Sequence, residues 1–262
     1  MKYNARVTQL LLTNDDGIAS PGIAALRSAL EGLGDVTTIA PAANSSAVAR
    51  SITIDRALRL ERTRFGGDFE GFALDGTPSD CVRVALLGVV APVPDLVVSG
   101  VNLGGNLGAD VTYSGTVGAA LETALRGGAG LAFSVESREP RWLDEAVPLL
   151  RAILRRAVDE GVPPRTVLNV NLPDLPAAEI RGLRPARLGG ASCHDRVTLA
   201  GEHAGEYFVP CDGPPAVAGF DTDFAVVAAG FVAVTPLRYD LLDAGLLADL
   251  AAWEPDTQAV HG

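Results

Sequence analysis

Apolar residues in this chain come in short unbroken runs divided by polar, glycine-bearing loops. The first run, "LLL" at residues 10–12, is followed by "TNDDGIASPG". There Ser20 supplies a helix N-cap and Pro21 a proline at the first helical position, which predicts a helix over residues 21–31. "DVTTIAP" (35–41) reads as a second strand, and "DLVVSG" (95–100) as a third that is apolar without alternation, the pattern of a strand covered on both faces of a parallel sheet. "LDGTPSDCVRVAL" reads as a capped helix start built by Asp75, Thr77 and Asp80, with Cys81 facing the core. "TVGAALETALRGG" (116–128) is a helix stopped by glycines, and "GLAFSVE" (130–136) is a strand. "RWLDEAVPLLRAILRRAVDEG" (141–161) has helical periodicity, with a kink or early break expected at Pro148. "TVLNVNLP" (166–173) returns to strand.

Strands alternating with helices predict an α/β fold with a doubly wound, mostly parallel sheet, spanning residues 1–262 as a single domain. Over residues 181–220 the pattern changes to glycine, proline and short β-like pieces, which reads as a protruding β excursion such as a hairpin. Residues 223–237 read as a helix or turn and one more strand. Residues 239–262 form a C-terminal tail in which "YDLLDAGLLADLAAW" has an apolar helical face. Packing on its own domain is the simpler expectation for that face, and swapping onto a partner the alternative.

Composition narrows the function. At 262 residues the chain can bury a sizeable core without staples, and Cys81, Cys193 and Cys211 have neither CxxC nor Cys/His ligand spacing. They read as reduced thiols of a cytoplasmic protein. No run of eighteen apolar residues and no signal-peptide core occurs, so a soluble, unexported protein without membrane contact is expected. A net charge of −11 disfavours duplex nucleic acid as a partner, because no basic face is left to replace counterions. Lys2 is the only lysine, so chemistry that needs a lysine beside a phosphate or in a Schiff base has no candidate.

In open α/β sheets ligands gather at the carboxyl ends of strands, which directs attention to four polar loops. The first carries Asn14, Asp15 and Asp16, with Gly17 permitting a bend that brings both carboxylates to one space. Converging carboxylates call for a hard cation, Mg²⁺, Mn²⁺ or Ca²⁺; the alternative is one Asp capping the turn and the other solvated. Ser46 and Asn102 follow the second and third strands as neutral oxygen donors, although each also suits a turn, as does Asn106. Ser114, Gly115 and Thr116 open a helix whose free N–H groups can hold a phosphate without a lysine, or simply cap it. Walker A, GxGxxG, HExxH and GxSxG patterns are absent, and His194, His203 and His261 lie away from these loops.

Taken together, "LLTNDDGIASPGI", "SITIDRALRL", "GTPSDCVRVAL", "DLVVSGVNLGGNLGADVTYSGTVGAALE", "LNVNLP" and "TDFAVVAAGFVAVTPL" resemble the SurE family of survival-protein nucleotidases, in order and over nearly the whole chain. The resemblance implies a SurE-like three-layer αβα fold and a divalent-metal-dependent phosphomonoesterase that hydrolyses nucleoside 5'- and 3'-monophosphates. It implies one Mg²⁺ or Mn²⁺ per subunit on Asp15, Asp16, Ser46 and Asn102, with Asp15 or Asp16 activating water or attacking phosphorus. Phosphate contacts would fall on Asn14, Asn106, Ser114, Gly115 and Thr116, in a homodimer or a tetramer built as a dimer of dimers. Residues 42–47, "AANSSA", depart from the charged stretch ending in Ser-Gly that the family commonly has. Other readings are a non-catalytic nucleotide or metal sensor, a phosphatase for short polyphosphate or carbohydrate esters, and an aspartyl-phosphate enzyme. The last lacks DxD spacing and a lysine past position 2.

Overall fold

A computed structural model describes residues 7–90, 92–190, 198–199, 207–208, 219–250 and 253. The chain runs β1 (Gln9–Thr13), α1 (Pro21–Ala29), β2 (Asp35–Pro41), β3 (Leu60–Phe65), β4 (Phe69–Leu74), α2 (Pro78–Leu86) and β5 (Leu96–Leu103). It continues through α3 (Gly115–Leu125), β6 (Ala129–Val135), α4 (Leu143–Glu160), β7 (Thr166–Leu172) and β8 (Leu183–Pro185). Then come β9 (Thr198–Leu199), β10 (Tyr207–Phe208), α5 (Asp223–Ala228), β11 (Val232–Leu237) and α6 (Ala244–Leu250).

Among the described residues nine strands form one sheet in the order β3-β4-β2-β1-β5-β6-β7-β11-β8. The six from β4 to β7 are mutually parallel, whereas β3 and β11 pair antiparallel to their neighbours β4 and β7. The apolar runs explain the layering, because a strand covered on both faces needs both side-chain parities apolar. In β1, Leu10 and Leu12 pack with α1 and α4, while Leu11 faces the α2 and α3 side with Cys81, Val82 and Ala119. Helices therefore cover both faces and complete the three-layer αβα fold. From β1 the chain steps to β2 on one side and returns to β5 on the other, so strand order reverses between β1 and β5. Their carboxyl ends open the crevice where such sheets bind ligands.

The capping signals are realised. Ser20 Oγ accepts from Gly22 N at 3.2 Å, and Thr77 and Asp80 form a reciprocal capping box that leaves Cys81 fully buried. Four features differ from the expectations. α4 runs through Pro148 without the early break, its apolar stripe of Leu143, Ala146, Leu150, Leu154 and Ala157 holding it on the sheet. The β3–β4 hairpin has no counterpart in the sequence reading, because as a sheet edge its residues Glu61, Arg62 and Arg64 face outward and blur the period. β8, at the start of the expected excursion, joins the sheet beside β11, while the antiparallel pair β9–β10 later in that stretch agrees with a hairpin. Finally, α6 finds no cover among the described residues: its Leu246, Leu247 and Leu250 are exposed, as are Leu241, Leu242 and Trp253 beside it. Lys2, Cys193, His194, His203, Cys211 and His261 lie outside the described residues, among which no helix is long and apolar enough to cross a membrane.

Gly22, in the first turn of α1, sits so close to β5 that a Cβ there would stand 1.9 Å from the Val101 carbonyl oxygen. Gly22→Ala should therefore destabilise the fold by roughly 3 kcal/mol, despite alanine's better helix propensity, as read from its urea unfolding midpoint.

Candidate active site

The turn after β1 is held from several directions. The Asn14 side-chain amide donates to the Gly17 carbonyl at 2.9 Å, and Gly17 itself adopts φ +94°, where L residues are strained. Ser45 N donates to the Asp15 carbonyl at 2.7 Å and Ile18 N to that of Pro41 at 2.9 Å, which ties the turn to the loop after β2. The backbone so fixed aims Asp15 at the first turn of α3. There one carboxylate oxygen accepts Thr116 N at 3.0 Å and the other accepts the Thr116 hydroxyl. Gly115 makes the approach possible, since a Cβ on it would lie 2.8 Å from the Asp15 Cβ.

Asp15 is 3 % exposed, and burial pushes its carboxyl up to about 6. The Thr116 hydrogen bonds oppose that rise and the neighbouring Asp16 charge adds to it. Asp16 is half-buried and its carboxyl is also raised by burial, opposed by a bond from Leu103 N at 3.1 Å. Its other oxygen lies 3.5 Å from the Asn44 amide nitrogen.

The second wall comes from β5 and the loop beyond it. Register against β6 shifts between Ser99 and Asn102, a bulge of the kind that re-aims a side chain at a strand end. The Asn102 amide nitrogen donates to the Gly104 carbonyl at 2.7 Å, which leaves its amide oxygen as the group available to a ligand. Asn106 is anchored on every side. Its N–H donates to Asn171 Oδ1 at 2.8 Å, its carbonyl accepts the amides of Asn169 at 2.8 Å and Asn171 at 3.0 Å, and its own Nδ2 donates to Ser134 Oγ at 2.8 Å. Buried Asp223 extends the clamp by accepting Gly108 N at 2.7 Å. Ser114 caps α3, its Oγ accepting Val117 N at 3.0 Å.

These walls enclose a cavity of about 720 Å³, a size suited to a small-molecule ligand. Of the residues expected from sequence, Asp15, Asp16, Ser46, Asn102, Asn106 and Ser114 line it. Asn14, Gly115 and Thr116 do not; they hold the turn, allow the close approach and grip Asp15. At the N-terminus of α3, Thr116 thus bonds a carboxylate of this chain. Sequence reasoning missed Asn44, Asp110, Tyr113 and Arg138 in the lining, and Ser134, Asn169 and Asn171 behind it. For the last two a signal existed: asparagines at alternate positions of "LNVNL", an otherwise apolar and buried strand, share one face and require partners. The four ligand candidates among the lining residues, Asp15, Asp16, Ser46 and Asn102, are all oxygen donors, two carboxylates with a hydroxyl and an amide, which suits a hard cation that keeps waters of its own. No group of three or more His, Cys, Asp or Glu that could hold a metal ion occurs among the described residues.

Comparison with known proteins gives concordant matches. Residues 10–195 match the family described as Survival protein SurE. A 5'-nucleotidase SurE of Methylococcus capsulatus is 41% identical over 248 residues, covering 94% of this chain and 97% of that protein. One of Laribacter hongkongensis is 43% identical over 247 residues, covering 94% and 98%. The crystal structure of the SurE protein from Aquifex aeolicus superposes with a TM-score of 0.81 at 38% identity, over 92% of this chain and 98% of that one.

Because Asp15 holds its proton up to about 6 when folded, against 3.8 as its ordinary value, the folded chain binds that proton more tightly than the unfolded one. Stability therefore falls as pH rises between those values, by about 3 kcal/mol in full and about 1.5 kcal/mol between pH 5 and 7.5. Urea titrations in EDTA should show that loss in the wild type relative to Asp15→Asn. Thr116→Val, which removes a bond to the charged form, should enlarge it.

Proposed function

The chain belongs to the SurE family, and from that premise we propose that it is a 5'-nucleotidase, a phosphomonoesterase that releases phosphate from nucleoside 5'-monophosphates and also accepts 3'-monophosphates. One observation carries the reading: the adjacent carboxylates Asp15 and Asp16 meet Ser46, Asn102, Asn106 and Ser114 around one cavity where strand order reverses. Asp15, Asp16, Ser46 and Asn102 hold one Mg²⁺ or Mn²⁺ per subunit, with Ca²⁺ able to occupy the same oxygens. The raised carboxyl of Asp15 supports this, since a buried carboxylate beside another is relieved by a cation. When bound, the cation supplies Lewis-acid polarisation of a phosphoryl oxygen and a lowered pKa for water.

The rest of the chemistry belongs to the chain's own groups. Ser114 accepts Val117 N, so its hydroxyl proton is directed elsewhere and can donate to a phosphoryl oxygen. The second amide hydrogen of Asn106 does the same, on a side chain fixed by Ser134 and the Asn171 network. Asp16, less enclosed than Asp15, orients the attacking water and takes its proton as the nucleoside oxygen departs. Both oxygens of Asp15 already accept from Thr116, which supports a role in holding charge and geometry rather than as a nucleophile on phosphorus.

The exposed apolar face of α6 supports a homodimer, or a dimer of dimers, in which a second copy covers it, and the composition supports a cytoplasmic setting. Replacing Leu246 and Leu247 by Asp should then yield monomers in light scattering at concentrations where the wild type is dimeric.

Asp16→Asn should lower p-nitrophenyl phosphate hydrolysis by about 100-fold or more in saturating Mn²⁺ while leaving the melting curve intact. Near wild-type turnover would overturn the assignment. Wild-type protein should release phosphate from adenosine monophosphate and stop on addition of EDTA; binding without release would instead identify a sensor.

A further inference from the structure

We propose that Arg138 is the residue that binds the phosphoryl dianion of the substrate, through its guanidinium, beside the carboxylate pair. The inference rests on the nucleotidase reading and adds to it a side chain that neither the sequence pattern nor any comparison singles out. Its starting point is charge. Among the described residues the cavity presents three carboxylates, Asp15, Asp16 and Asp110, and Arg138 is the only basic side chain in its lining. A phosphomonoester carries nearly two negative charges at neutral pH, and a divalent cation is already balanced by Asp15 and Asp16. The dianion therefore needs a further positive charge, and in a chain of net charge −11 with one lysine the general field does not provide it.

Position agrees with charge. Arg138 follows the carboxyl end of β6, the strand next to β5, so it stands at the same sheet edge as Asn102. Its Cγ and the Asn102 amide nitrogen each lie 3.8 Å from the point where a Cβ on Gly104 would stand. The stem of the arginine and the Asn102 side chain thus flank the same open point above Gly104. Arg138 lines the cavity on a flexible stem, and a guanidinium's planar fork matches two phosphoryl oxygens at once.

Availability is the third observation. Arg56, Arg83, Arg126 and Arg187 are engaged in ion pairs with Asp75, Asp80, Glu122 and Asp221. Arg138 is exposed and has neither an ion pair nor a hydrogen bond among the described residues. A merely solvated surface arginine would show the same freedom, but nothing would place it in the wall of an otherwise acidic cavity.

The test uses the Mn²⁺-loaded wild type, Arg138→Ala and Arg138→Lys. Calorimetric titration with inorganic phosphate should give a Kd about tenfold weaker for the alanine variant, the loss expected for one charge-assisted pair. With adenosine monophosphate, KM should rise by about tenfold while kcat changes less, and lysine should recover part of the loss because it keeps the charge without the fork. Mn²⁺ affinity should stay the same or tighten, since a cation beside the site is removed, and the melting temperature should not move. Unchanged phosphate Kd and KM in an active wild-type background would overturn the role of Arg138 and leave the nucleotidase reading standing. Loss of Mn²⁺ binding in the alanine variant would overturn it too, by making the residue part of the metal wall. A wild type that binds phosphate but hydrolyses no nucleotide would remove the nucleotidase reading, while the phosphate titration would still judge Arg138.

Discussion

The carboxylate of Asp15 lodged on the first turn of α3 is the contact around which the rest of the site is arranged. Burying an anion next to a second carboxylate is costly, as the upward shift of its carboxyl records. The Thr116 N–H and hydroxyl recover part of that cost, and the unpaired N–H groups of a helix start favour negative charge. Because both oxygens are gripped, the turn after β1 cannot drift relative to α3. Gly115 and Gly17 are the two places where this geometry excludes a side chain, one by proximity and one by backbone angle.

A second clamp, made of neutral groups, serves the other wall. Asn106 is caught by Ser134, Asn169 and Asn171, all fully buried on neighbouring strands, so its bonds are made in a medium where leaving them unmade would be expensive. Asp223 at the start of α5 adds the Gly108 N–H to this frame. The result is a cavity with one side of paired carboxylates and one rigid, hydrogen-bonding side. In the proposed nucleotidase both serve, the first by holding the cation that offsets the phosphoryl charge and the second by orienting the group.

Much of this was legible in the sequence, and the failures have physical reasons. Asp15, Asp16, Ser46, Asn102, Asn106 and Ser114 could be named because each follows an apolar run in a chain that alternates strand and helix, and strand ends share one edge. The bond from Thr116 to Asp15 was not legible, since a helix N-terminus receives any anion and sequence does not say that a residue 101 positions away will reach it. Pro148 did not break α4, because a stripe of buried leucines and alanines outweighs one missing backbone bond. Arg138 left no trace, as an arginine in a loop reads as surface until the loop is seen to end at a cavity.

By itself the sequence determined the central strands and the helices that cover them, with the caps that begin α1 and α2, because those depend on spacing within a dozen residues; the edge hairpin β3–β4 and β8 did not show in it. It also limited how an anion can be held, since the chain is acidic, has one lysine and sets two aspartates side by side. Only the tertiary structure decided which polar groups meet. Asp15 with Thr116, Asn106 with Asn171 and Asp16 with Leu103 are joined across strand order, and strand order follows from how whole helices pack on the two faces of the sheet. It likewise decided that the apolar face of α6 finds no cover among the described residues, because amphipathic spacing says that a face needs burial and never which surface provides it.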